Sequence, residues 1–197
     1  MAIARAVETF GGLDILVNTA SAIQLTGTEA TAMKRFDLLW SVNARGTFVC
    51  SQAALPHLRQ AANPHILNLS PPLNLDPKWF APHLPYTMSK YGMSLCVLGM
   101  AAELAPYGIA VNALWPRTVI ATAALAALGF EVPLANCRKP EILADAAHAI
   151  LTRDSRAPGA GGNFHLDEEV LAAAGVTDLS PYAVEPGQTL LPDFFLE

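Results

Sequence analysis

A tyrosine and a lysine four residues apart, in the segment LPYTMSKYGM (84–93), are the residues of this chain best suited to acid–base chemistry. In a helix that begins near Pro85, residues four apart lie on one face, so the phenol of Tyr86 and the ammonium of Lys90 would be neighbours. A free phenol has a pKa of about 10, and a cation within about 4–6 Å lowers that pKa. The pair therefore predicts a proton donor and acceptor.

The same spacing also has a purely structural interpretation. The only charged side chains in the largely apolar stretch 86–104 are those of Lys90 and Glu103. A lysine on such a helix commonly extends its ammonium along the apolar surface to water, because burying it costs roughly several kcal/mol. The pair alone leaves both interpretations open, and the neighbouring motifs decide between them.

The elements around the pair have the pattern of an α/β protein. Apolar runs without polar alternation are typical of strands in a mostly parallel sheet that is covered on both faces. Helix-patterned segments separate these runs, which predicts βαβ units within a single domain over 1–197. The predicted strands are 13–20, 65–70, 109–115 and 162–167, and the predicted helices are 28–60 with a bend around Gly46, 84–106 and 139–152.

Composition narrows the class of protein. The chain has 197 residues, 52% of them hydrophobic, and a net charge of -5 without a basic stripe, so we expect no nucleic-acid partner. No signal-peptide pattern and no run of about 18 apolar residues occurs, which predicts a cytoplasmic protein that is not a membrane protein. The three cysteines are widely spaced, so we expect a reducing compartment and no disulfide framework.

Two other chemistries find little support in the sequence. The five histidines have no metal-ligand spacing among themselves or with the cysteines, so we expect no metal site. A Gly-x-Ser-x-Gly elbow, which positions the nucleophile of many hydrolases, is absent.

Five motifs surround the pair in a fixed order: LDILVNTAS, WSVNARGTF, HILNLSPP, YTMSK and IAVNALWP. With these motifs the chain resembles the short-chain dehydrogenase/reductase family over practically its whole length. The resemblance implies a three-layer Rossmann-like sheet with helices on both faces. It also implies NAD or NADP as cofactor and the interconversion of a secondary alcohol and a ketone.

The resemblance assigns catalytic roles to four residues. Tyr86 would be the acid/base, and Lys90 would bind the nicotinamide ribose and lower the pKa of Tyr86. Asn43 would anchor a water in the proton relay, although an Asn inside a helix is also explained by bonds to nearby backbone. The family's catalytic Ser corresponds to Pro71 here, and the preceding Ser70 would take over its role.

Two loops would hold the cofactor if the resemblance extends to binding. One loop follows the first strand and the other follows the third. The residues of both loops also fit ordinary turn and helix-cap roles. Arg117 replaces the family's Gly after Pro116, so it could approach a cofactor phosphate or an acidic substrate, or remain a solvated loop residue. The cofactor-binding residues would be Asn18, Ala20, Ser21, Tyr86, Lys90, Pro116, Thr118, Ile120 and Thr122.

The sequence also lacks one part of the family pattern. No strand leads into a Gly-rich turn and a helix, and GAGG at 159–162 precedes a strand instead. We therefore expect an N-terminally truncated domain in which the strand 13–20 has a bare edge that is prone to aggregation or pairing. We also expect weak dinucleotide binding, because part of the pyrophosphate site would be missing.

Two functions remain after this comparison. One is an oxidoreductase for a small apolar alcohol or carbonyl compound, with Trp79, Phe80, Leu125 and Leu128 lining its pocket, although loop aromatics also serve simple packing. The other is a non-catalytic fragment or pseudoenzyme that keeps the fold for subunit assembly. In both cases we expect a homo-oligomer formed through the long helices 31–60 and 84–106.

Overall fold

A four-stranded parallel sheet forms the centre of the molecule. The computed structural model describes residues 2–123, 125 and 132–196. Within them the strands follow each other across the sheet in the order of the sequence, so each βαβ connection joins neighbouring strands. All four predicted strands are present and are shorter than predicted. The strands are β1 (Ile15–Asn18), β2 (His65–Leu69), β3 (Ala110–Trp115) and β4 (Phe164–Leu166).

The helices also follow the predicted pattern. Within the predicted segment 28–60, two α-helices span 33–40 and 46–58, so the helical part begins later than predicted. A π-helical turn, Ser41–Arg45, joins them, so the irregularity lies just before Gly46. None of the helices in the described part of the chain has the length and apolar character needed to cross a membrane. The α-helices are α1 (Ala2–Phe10), α2 (Met33–Trp40), α3 (Gly46–Leu58), α4 (Leu84–Leu104), α5 (Glu141–Leu151) and α6 (Asp167–Ala173).

Helices cover both faces of β2 and β3. On one face Leu67 and Leu114 pack with α5 and α6, and on the other face Ile66 and Val111 pack with α3 and α4. Every residue of β3 is buried, which explains why this strand shows no alternation of apolar and polar residues. The predicted three-layer arrangement with helices on both faces of a parallel sheet is therefore confirmed.

Strand β1 lies at one edge of the described sheet and pairs only with β2. Ile15 and Val17 point to the same face as Leu67, yet their side chains remain 40% and 39% exposed. An apolar parallel edge of this kind exposes unpaired backbone groups, which favour association with another chain. The edge predicted from the sequence is thus present in the structure.

Helix α4 crosses the π-helical turn at Gly92, where the backbone of α4 comes close to Ala44. A Cβ atom added to Gly92 would lie 2.6 Å from the Cβ of Ala44, whereas a Cβ added to Gly99 on the same helix would meet no heavy atom within 4 Å. We expect Gly92→Ala to lower the free energy of unfolding by about 1–3 kcal/mol through overpacking. Gly99→Ala should raise it by up to about 1 kcal/mol, because alanine is the better helix former.

Urea unfolding of the two variants measures this difference, since both change glycine to alanine within one helix. Equal unfolding free energies for the two variants would show that the crossing at Ala44 tolerates a methyl group.

Candidate active site

Helix α4 holds the ammonium of Lys90 beneath the carboxyl end of β2. Lys90 is 3% exposed, its Nζ donates a hydrogen bond to the carbonyl oxygen of Leu69 at 2.8 Å, and it lies 5.0 Å from the centroid of the Trp115 ring. Burial lowers the pKa of Lys90 to about 8, and the negative charge of Asp193 opposes that shift. Lys90 therefore does not extend to water, so the structural interpretation of the pair as a solvated lysine is wrong.

Tyr86 lies one turn earlier on the same helix and is 4% exposed. Burial raises the pKa of Tyr86 above its ordinary value, and the nearby negative charge of Asp193 raises it further. Lys90 is not among the causes of this shift, so its lowering of the Tyr86 pKa stays a prediction. The phenol is protonated at neutral pH and can act as a proton donor.

Asn43 connects the loop after β1 to the start of α4. Its Oδ1 accepts a hydrogen bond from the backbone N–H of Ala22 at 2.7 Å, and its Nδ2 donates to the Ala22 carbonyl and to Ser89 Oγ, both at 2.9 Å. Ser89 Oγ in turn donates to the carbonyl oxygen of Tyr86 at 2.8 Å. The π-helical turn places Asn43 in this position, and such turns frequently occur at functional sites.

The carboxyl end of β2 carries a hydroxyl without a partner. Ser70 is fully buried, and its Oγ has no hydrogen-bond partner within the described residues. Beside it, Asn18 Nδ2 donates to Asn68 Oδ1 at 2.8 Å and to Ser51 Oγ at 3.3 Å. Asn18 therefore braces the ends of β1 and β2. Ala20 and Ser21, the other residues predicted in this loop, are exposed.

The loop after β3 contains the remaining predicted cofactor-binding residues. Pro116, Thr118 and Ile120 are buried, whereas Thr122 is exposed. Ile120 forms a backbone bridge with Arg138. Thr118 Oγ1 has no hydrogen-bond partner in the part of the chain that the structure describes.

Arg117 lies in the same loop and faces the start of α6. Its Nη2 forms an ion pair with Glu169, its Nε lies 3.6 Å from Glu168 Oε2, and its backbone N–H donates to Asp167 Oδ1 at 2.9 Å. Since both side-chain partners are acidic residues of this chain, Arg117 anchors the loop to α6. Its side chain remains 39% exposed, so Arg117 is also partly solvated, as the sequence allowed.

An aromatic cluster at the site includes residues that the sequence did not predict. Trp79 packs against Phe195 with ring centroids 5.8 Å apart, and Phe80 packs against Tyr91 at 5.5 Å. Leu125, another predicted pocket residue, is half-buried. Leu128, the last one, lies outside the described residues. The sequence signal for this cluster is the aromatic pair Phe194 and Phe195 in the segment PDFFLE. These residues are far from the site in the sequence, and only the folded chain brings them to it.

The described residues contain no group of three or more His, Cys, Asp or Glu side chains that could hold a metal ion. Cys50, Cys96 and Cys137 are all free thiols. Tyr86 and Lys90 are buried one turn apart on α4, and the described residues also contain two buried hydroxyls without partners, Ser70 Oγ and Thr118 Oγ1.

Comparison with known proteins agrees with this geometry. The family model of the short chain dehydrogenases matches residues 1–131, and the chain belongs to that family. It is similar to hydroxysteroid dehydrogenase-like protein 2 of Danio rerio, with 56% identity over all of this chain and 46% of the relative. The chain thus spans about half the length of the curated relatives it matches.

Two solved structures are similar over the whole chain. A protein described as a dehydrogenase from Xanthomonas campestris is 63% identical, with a TM-score of 0.95, and the match covers 71% of that chain. A short chain dehydrogenase from Mycobacterium thermoresistibile is 51% identical, with a TM-score of 0.91, and the match covers 69% of that chain. The fold expected from the sequence is confirmed.

Proposed function

We propose that this chain carries the catalytic centre of an NAD(P)-dependent oxidoreductase that interconverts a secondary alcohol and a ketone on a small apolar substrate. The observation that supports this most strongly is the buried pair Tyr86 and Lys90, which α4 holds at the carboxyl end of a parallel sheet. Ligands of open α/β sheets bind in the crevice beyond these strand ends. Membership of the short chain dehydrogenases supports the cofactor class.

In this proposal Tyr86 moves the proton. During ketone reduction its protonated phenol donates to the oxygen on which negative charge develops, and during alcohol oxidation it accepts the proton back. Ser70 Oγ, which has no hydrogen-bond partner among the described residues, would hydrogen-bond the same substrate oxygen. Asn43 and Ser89 hold the first turn of α4 through the Tyr86 carbonyl, so they fix where the phenol points.

The residues at the nicotinamide end fit a dinucleotide. Lys90 would bind the ribose, and Pro116 and Ile120 would supply apolar contacts. Thr118 would direct its Oγ1, which lacks a partner among the described residues, to the carboxamide. Asn18, Ala20, Ser21 and Thr122 would line the remainder of the cofactor path. When bound, the cofactor supplies or accepts the hydride. Small neutral molecules suit the net charge of -5 better than nucleic acid.

Dinucleotide binding tests this function directly. Trp115 lies beside Lys90, so we expect NADH or NADPH to quench its fluorescence. The sequence contains no Gly-rich turn between a strand and a helix, so we expect a dissociation constant well above the low-micromolar range. Trp115→Phe identifies the reporting residue, and Trp40→Phe is the matched control.

The result can contradict either part of this expectation. Nanomolar to low-micromolar binding would show that the affinity argument is wrong. No binding of either dinucleotide at millimolar concentration would contradict the proposed function.

A second function is subunit assembly without catalysis. Its support is a set of large apolar side chains that helices α2, α3 and α4 leave exposed, which favours a homo-oligomer in either case. A well-defined dimer that neither binds a dinucleotide nor turns over a substrate would favour assembly alone. The exposed residues are Met33, Leu38, Trp40, Phe48, Val49, Met88, Leu95 and Leu98.

A further inference from the structure

The last residues of the described chain, Thr189–Leu196, lie across the candidate active site, and we call this segment the C-terminal strap. Pro192 forms an antiparallel bridge with Thr118 in the loop after β3. The Val119 N–H donates to the Leu191 carbonyl at 2.9 Å, and the Asp193 N–H donates to the Arg117 carbonyl at 3.1 Å. The strap is therefore fixed along the loop that would hold the nicotinamide.

The ring of Phe195 occupies the centre of the aromatic cluster. Phe195 is 1% exposed, and Trp115 fixes the preceding residue by donating its Nε1–H to the Phe194 carbonyl at 3.0 Å. The distances from the Phe195 ring centroid are 5.3 Å to Tyr91, 5.8 Å to Trp79, 5.9 Å to Trp115, 6.3 Å to His83 and 6.5 Å to Tyr86. The strap thus brings an apolar wall to the ring of the proposed acid/base.

The backbone of Phe195 is unusual. Its φ angle is +71°, and it is the one non-glycine residue with a positive φ within the described residues. A bulky residue in this region costs conformational energy, which persists only where the surroundings determine the conformation. In this conformation the buried ring lies within the aromatic cluster that includes Tyr86. Asp193 also lies close enough for its charge to act on both Tyr86 and Lys90.

We propose that Phe195 is a specificity-determining residue, whose ring sets how large an apolar group can lie beside the substrate carbonyl at Tyr86. This inference rests on the proposed function. A substrate carbonyl that reaches the Tyr86 hydroxyl must place its flanking carbons in the space that the Phe195 ring borders. We therefore expect the unchanged chain to favour small aliphatic ketones over fused-ring ketones.

Removal of the ring should open the site to a larger ligand. A cavity that a missing apolar side chain leaves in a packed interior can bind an apolar molecule. We expect Phe195→Ala to bind the bicyclic ketone 2-decalone about tenfold more tightly than the unchanged chain, and to change 2-butanone binding by less than about twofold. Quenching of Trp79 and Trp115 fluorescence measures both affinities without any dinucleotide.

Two further variants make the test decisive. Phe48→Ala removes an exposed ring on α3 and should leave both affinities unchanged. Phe195→Leu keeps most of the buried volume, so it should fold even where the alanine variant does not, and should shift the ratio of the two affinities about threefold in the same direction.

The outcomes separate this inference from the proposed function. A ratio of affinities that stays constant in folded Phe195→Leu or Phe195→Ala would overturn the role of Phe195. A shifted ratio supports it even if no variant turns over a substrate. Absence of turnover would count against the proposed function alone.

Discussion

Tyr86→Phe should lower kcat for ketone reduction by about 10²- to 10⁴-fold, which is the range that positioned proton transfer contributes. The substitution removes one oxygen atom and keeps the ring that packs against His83 and Phe195. The free energy of unfolding should therefore change by less than about 1 kcal/mol. Dinucleotide binding, measured by tryptophan fluorescence, should be nearly unchanged, so that the loss appears in kcat.

Tyr91→Phe is the matched control, because Tyr91 is a second buried tyrosine on α4. Its hydroxyl donates to the Asn74 carbonyl and accepts from the Asn74 N–H, which gives it a structural role in the loop after β2. We expect this variant to keep kcat within about twofold and to lose about 1 kcal/mol of stability. Equal activity in Tyr86→Phe and the unchanged chain would remove Tyr86 from the proposed chemistry.

Local patterns in the sequence predict much of the fold and the centre of the site. Apolar strands identify the covered sheet, and the i to i+4 spacing places Tyr86 and Lys90 on one face of α4. The ends of parallel strands meet at one edge of the sheet, which is why Asn18 and Ser70 lie at the same edge. These relations depend on residues close in sequence or on the order of the strands.

The missed features depend on contacts between distant parts of the chain. The pKa of Tyr86 is raised partly by Asp193, more than a hundred residues later in the sequence. Ser89 lies in the segment 84–93 with Tyr86 and Lys90. Its hydrogen bond to Asn43 nevertheless depends on a π-helical turn, which no simple sequence period predicts. Phe195 enters the site through a backbone conformation that sequence patterns do not favour for phenylalanine.

The site also carries energetic costs that packing alone would avoid. Ser70 Oγ and Thr118 Oγ1 are buried without partners within the described residues, and each such group costs about 1–3 kcal/mol. The buried ammonium of Lys90 adds a cost of the same kind. Buried polar groups without partners and buried charges destabilise a fold, and they are expected at functional sites, where the chemistry requires them. Removing one of them should therefore stabilise the fold and impair the chemistry.

Lys90→Met tests this relation between stability and function. Methionine keeps the length and apolar stem of the side chain and removes the charge, so we expect the free energy of unfolding at pH 7 to rise by about 1–2 kcal/mol. Loss of the hydrogen bond to Leu69 offsets part of the gain. Turnover should fall by about 10²-fold or more, because a charge that stabilises the reacting complex is lost.

The pH dependence of stability gives a second measure of Lys90. Burial lowers the pKa of Lys90 in the folded chain to about 8 from the ordinary value of 10.5. Between these values the unfolded chain binds more protons than the folded chain, so the stability of the unchanged protein rises with pH through this window. The stability advantage of Lys90→Met should therefore be largest below pH 8 and shrink toward pH 10.5.

Urea unfolding at pH 7 and at pH 10 distinguishes a buried charge from a general packing effect. Lys78→Met is the control, since Lys78 is an exposed lysine that pairs with Asp76 at 3.5 Å. We expect that substitution to change stability by less than about 0.5 kcal/mol at either pH. A Lys90→Met variant that is less stable than the unchanged chain at pH 7 would contradict the cost assigned to the ammonium. If Lys90→Met raises the free energy of unfolding equally at the two pH values, the stabilisation does not come from removal of the Lys90 charge.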